Sequence, residues 1–205
     1  MADEVVKGNK KYTSGNSAYN AQEFHVRNLI MQHVNTATPV IVTAAQAGGA
    51  GAAAGYVTVK PLVAQIDGFG NTVPPVELFK LPYFRYQGGV AAVVIDPVPG
   101  DIGLAVFCKS DCSNIQQGQI EPVQPGSFRK FSQSDGFYIG GFLNNAPEVF
   151  IEINQDKSIT ITAASGVTVN APTVTVPEGD VIASGISLAH HKHPGCQGGS
   201  TGEPT

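Results

Sequence analysis

Tryptophan is absent from the 205 residues, cysteine occurs three times, and charged side chains make up only 14%. Ordinary soluble domains carry about 25% charge. Each shortage excludes something. Three cysteines (Cys108, Cys112 and Cys196) are too few and odd in number for a disulfide scaffold. A net charge of −4 without any Lys/Arg block leaves nothing to track a phosphate backbone, so no nucleic-acid partner is expected. The most apolar window, Pro39 to Val59, is interrupted by Gln46, Gly48, Gly49, Gly51 and Gly55. A spanning helix needs about 20 mostly apolar residues, and this window fails that test. Met1 to Lys11 carries Asp3, Glu4, Lys7, Lys10 and Lys11 with no apolar stretch behind it. No secretory signal is therefore expected, and synthesis in a cytosol without Sec export is. G-x-S-x-G, phosphate-loop and H-E-x-x-H patterns are all missing, and the expectation is a protein that is not an enzyme.

What is present is 42% apolar residues, 24 glycines and 14 prolines, enough apolar content for a core. Residues 1–55 read as an N-terminal extension. Asn20 followed by Glu23 has the spacing of a capping box. Phe24, Ile30, Met31 and Val34 then recur at helical spacing, as a short helix that docks on its own domain or on a partner. Ala44 to Gly55 reads as a loop or flexible connector, because Ala and Gly bury little. Residues 56–147 read as an OB-fold-like barrel. Tyr56–Val59, Val63–Ile66, Val76–Phe79, Val90–Ile95 and Ile102–Cys108 are short strand patterns bounded by Gly or Pro.

Residues 148–188 differ in kind. Ile151/Ile153, Ile159/Ile161, Val167/Val169, Val174/Val176 and Ile186/Leu188 are pairs at spacing two, recurring about every seven or eight residues. Spacing two places each pair on one strand face, and the longer period marks a stacked β-structure. One copy of so narrow a ladder leaves its edges open and buries too little to offset its ordering. Several copies wound around one axis answer both problems, so an obligate homo-oligomer with cyclic symmetry is expected.

Residues 189–205 hold Ala189-His190-His191-Lys192-His193 and a polar tail. On an extended path His191 and His193 share a face and His190 points oppositely. In a trimer two imidazoles become six nitrogens, a set for an octahedral transition metal. The plain reading beside it is a solvated, slightly basic terminus. A third reading joins His191, His193 and Cys196 as a catalytic zinc site, although no carboxylate base stands nearby. Cys108 and Cys112, spaced C-x3-C, read as free thiols near a strand end. Asp96 and Asp101 read as turn residues.

The chain resembles the central baseplate spike, or membrane-piercing spike, of contractile-tailed bacteriophages. The resemblance lies in Pro99-Gly100-Asp101-Ile102-Gly103-Leu104-Ala105-Val106-Phe107, in Arg129 to Gly136, and in Gly140-Gly141-Phe142. It is most specific in Gly179 to Leu188 running into His191-Lys192-His193. It implies an all-β chain: an N-terminal OB-fold, then an intertwined trimeric β-helix with a metal-capped tip. It further implies one iron ion per trimer, or another octahedral transition metal, held by His191 and His193 of each chain. The implied setting is the virion, at the tail baseplate tip, after synthesis in the host cytoplasm. The implied partners are two further copies, tail hub or tube proteins and, transiently, the host outer membrane. Two other readings are a carbohydrate-binding tail fibre using Tyr83, Phe84 and Tyr86, and a metal-dependent hydrolase.

Overall fold

The computed structural model describes residues 10–67, 69–118, 121–193 and Gly202. The charged start of the chain up to residue 9, Cys196 and nearly all of the tail lie outside the described residues. The chain is mostly β, with few helices, and it divides into two compact units, Met1–Ala146 and Pro147–Thr205.

The first unit opens with a 3₁₀ turn, Tyr12–Gly15, and helix α1, Ala18–His33. Ser17 caps α1, its side chain accepting from the Asn20 amide. The helix therefore starts before Asn20, which is the capped residue and not the cap. Docking on its own domain is not seen. No residue of α1 is buried, and Val26, Leu29, Ile30 and Met31 are all exposed.

Ten residues follow as β1, Ala37–Gln46, in the stretch expected to be extension and connector. It is the middle strand of the main sheet. Next come β2, Tyr56–Pro61, a small hairpin of β3 (Gln65–Ile66) and β4 (Thr72–Val73), and β5, Leu78–Pro82. A second hairpin pairs β6, Tyr86–Gly88, with β7, Ala91–Val93. Then β8, Ile102–Phe107, the single-turn helix α2, Ser113–Gln116, and β9, Gly136–Gly140, complete the unit.

The sheet order is β5-β2-β1-β8-β9, and each named pair is antiparallel. Its two edges approach at a parallel bridge between Tyr83 and Tyr138, where the Phe84 amide donates to the Tyr138 carbonyl at 2.7 Å. The sheet thus curls into a half-barrel. Alternation supplies its core: Val40 and Val42 from β1, Val57 and Val59 from β2, Ala105 and Phe107 from β8, with Leu81, Tyr83 and Tyr138. Side chains two apart on a strand share a face, which is why Ile41 and Thr58 are left out of the cluster.

The second unit is built differently. A hairpin pairs β10, Phe150–Ile153, with β11, Ile159–Thr162, placing Ile151 opposite Ile161 and Ile153 opposite Ile159. A smaller one pairs β12, Ile182–Ala183, with β13, Ile186–Ser187. No described residue of this unit is buried. Ile151, Ile153, Ile159, Ile161, Val167, Val169, Val174 and Val176 are all exposed.

Close approach at Gly103 decides how the first unit curls. A Cβ there would press into the Tyr138 ring and lie 2.5 Å from the Ile139 carbonyl oxygen. Gly103→Ala is expected to destabilise the unit by about 2 kcal/mol, lowering Tm by about 5 °C. Thermal denaturation followed by circular dichroism measures this, and an unchanged Tm contradicts the packing.

Candidate metal centre

The last hairpin positions the histidines. Ser184 and Gly185 link β12 to β13 with φ of +51° and +82°. Two consecutive positive values define the tight turn that suits the right-handed twist of a two-residue hairpin, and glycine adopts its half without strain. Beyond β13 the chain turns back. The Leu188 amide donates to the Val181 carbonyl at 2.9 Å, and the Ala189 amide donates to Asp180 Oδ1 at 3.0 Å. The His190 amide donates to Ser187 Oγ at 2.7 Å. Asp180 therefore ties the base of the hairpin to its exit.

That exit orients His191. Its Nδ1 lies 2.9 Å from the Ser187 carbonyl oxygen and 3.1 Å from that of Leu188. Neither acceptor has a hydrogen to give, so Nδ1 carries the proton and donates it. The Nε2 lone pair is then the one available to a ligand. A metal-binding imidazole is ordinarily held this way, with its other ring nitrogen donating to a carbonyl or carboxylate.

The extended path assumed for the histidines is broken by the turn at Leu188–His190. Even so, the His191 and His193 rings come within 5.0 Å of each other, edge to face at 90°. Among the described residues, no group of three His, Cys, Asp or Glu side chains could hold an ion within one chain. Two imidazoles are a partial donor set that fits a shared site. The third ligand of the hydrolase reading, Cys196, lies outside the described residues.

No family model matches the chain, and a search of curated proteins returned no similar sequence.

Other residues singled out in the sequence fall elsewhere. Cys108 and Cys112 follow β8 as free thiols. Burial first, and the neighbouring Cys108 thiol second, push Cys112 up to about 12. It is a protonated thiol at neutral pH, a poor nucleophile and a poor ligand. Tyr83 is buried at 4% exposure, so the proposed platform of three aromatics is not formed; Phe84 and Tyr86 remain exposed. Asp101 does serve a turn, accepting from the Val98 amide at 2.9 Å.

Asp96 does something its turn reading missed. It takes the Tyr83 hydroxyl, pairs with Arg85 Nη2 at 2.9 Å and accepts from the Gly49 amide at 3.1 Å. Arg85 Nη1 also donates to the Ala52 carbonyl at 2.7 Å. The Ala/Gly loop read as a flexible connector is thus anchored to the barrel. Two charges eleven positions apart in an apolar stretch were the available signal.

The carboxyl of Asp180 is held below its ordinary range, first by the Ser187 side chain and then by the Ala189 amide. A depressed carboxyl stabilises the fold above its unfolded pKa, near 4, and that contribution disappears as pH falls through the folded value. The Ala189 amide is expected to be protected relative to its intrinsic exchange rate at pH 5–7 and to lose that protection well below pH 4, read by NMR. In the same spectra ¹⁵N shifts are expected to show His191 protonated at Nδ1; protonation at Nε2 alone contradicts the hydrogen bonds described.

Proposed function

We propose that this chain is the central spike of a contractile phage tail: a homotrimeric needle that leads the tail tube through the host outer membrane. The observation that carries the reading is the second unit. It has strand pairs with aligned apolar faces, no buried residue among those described, and two adjoining imidazoles at its end. Such a segment gains its stability from other chains. Three copies wound as a β-helix would bury the Ile and Val pairs and bond each ladder edge to a neighbour.

The curled five-stranded sheet of the first unit supports the OB-fold part of the reading, since that fold is a partly open five-stranded barrel. It would seat the needle on hub or tube proteins of the baseplate, in the virion. At the other end, His191 and His193 of three chains would supply six nitrogens to one ion, iron by the resemblance. When bound, that ion supplies a cross-link between three chain ends. The protein's own part is to present each lone pair: the Ser187 and Leu188 carbonyls orient His191, and Asp180 holds the turn that offers them. Chain ends fray unless tied down, and a needle that fails at its point cannot transmit axial force.

Light scattering on the purified protein is expected to give the mass of three chains, and elemental analysis one iron per trimer. His191→Ala combined with His193→Ala should abolish the metal and leave the trimer. A monomeric protein defeats the reading. Asp180→Ala is expected to weaken metal retention by about tenfold, measured by competition with a chelator.

A further inference from the structure

One concave site belongs to residues that the spike reading does not use. A cavity of about 290 Å³ on the first unit lies between the segment after β5 and strand β9. Its rim carries two aromatic side chains open to solvent, Phe84 at 60% and Tyr86 at 76% exposure. Its wall includes Tyr138 and Arg85. Both are almost wholly buried, and both hold a polar atom with no hydrogen-bond partner, Tyr138 Oη and Arg85 Nε. With less than 1 Å² exposed, neither atom is open to the cavity, and the groups a ligand meets are the exposed ones.

The chemistry of the lining narrows the ligand. Arg85 is paired with Asp96 at 2.9 Å, and Asp101 is occupied by the Val98 amide. A cation finds no free carboxylate pair here, and an anion meets two carboxylates beside an arginine already engaged. Asn144 keeps its amide donors, because its Oδ1 accepts from the Ile102 amide. A neutral molecule with many hydroxyls and one apolar face suits this combination of amide, phenol and exposed aromatic rings. The volume sits at the small end for ligand sites, roughly 300–1,000 Å³, and has room for a single sugar ring.

We propose that this cavity holds one neutral pyranose unit of a cell-surface saccharide. The ring stacks on Tyr86 or Phe84, and the hydroxyls meet the amide donors of Asn144. A spike with this site touches surface sugar as it is driven home, which is a function separate from piercing.

The full-length protein is screened on an array of neutral and acidic glycans, and the best neutral methyl glycoside is then titrated by calorimetry. Binding of neutral saccharides is expected. Tyr86→Ala, at an exposed position, and Asn144→Asp, which keeps the acceptor for the Ile102 amide and removes the amide donors, should each weaken binding by about tenfold. Tyr12→Ala, at an exposed position outside the cavity, should leave it unchanged. Circular dichroism confirms that the variants are folded. Retention of acidic glycans alone, of none, or binding that survives in both Tyr86→Ala and Asn144→Asp overturns the proposal.

Discussion

A strand ladder two strands wide cannot cover its own side chains. That constraint governs the second unit of this chain. Ile151, Ile153, Ile159 and Ile161 pair across a hairpin and remain exposed, because one hairpin has no second layer. The same shortage explains why Val167 and Val169, and Val174 and Val176, form no ladder of their own within one chain. A strand exists through its partner, and in the proposed trimer the partner of these segments is another copy of the chain. The scarcity of charge follows: between Ser158 and Leu188 only Glu178 and Asp180 are ionisable acids or bases. In the proposed trimer, side chains that approach copies of themselves cannot carry like charges without repulsion.

The first unit solves burial internally. Alternating residues of five strands converge on one cluster around Leu81 and Tyr138, and glycines where β8 meets β9 admit the tyrosine ring. The loop between β1 and β2 is held by the Tyr83, Arg85 and Asp96 network, so a segment of the simplest composition is tied at several points.

How much of this was legible depends on the scale of the signal. The hairpin β10–β11 was visible as isoleucines at spacing two around the turn Asn154–Lys157. Strand β1 was hidden because Ala44 and Ala45 look like linker, whereas Val40 and Val42 just before them form part of the core. Composition describes what a segment can bury, not what pairs with it. The helix start slipped by three residues because Ser17 and Asn20 are both good caps, and only backbone conformation separates them. The closeness of His191 and His193 was anticipated, but on an extended path. The structure reaches it through a turn held by Asp180, a residue whose partner is an amide nine positions away.

The acceptors that orient His191 are peptide carbonyls. Substituting Leu188 changes a side chain but leaves the carbonyl in place, so drift there leaves the ring orientation intact, whereas Ser187 also holds the His190 amide through its hydroxyl. Insertion or deletion of a single residue between Ile182 and Leu188 would move both carbonyls together. The turn is thus tolerant of change at Leu188 and intolerant of change in length. Among divergent chains built on this plan, the spacing of the final hairpin should outlast its residues.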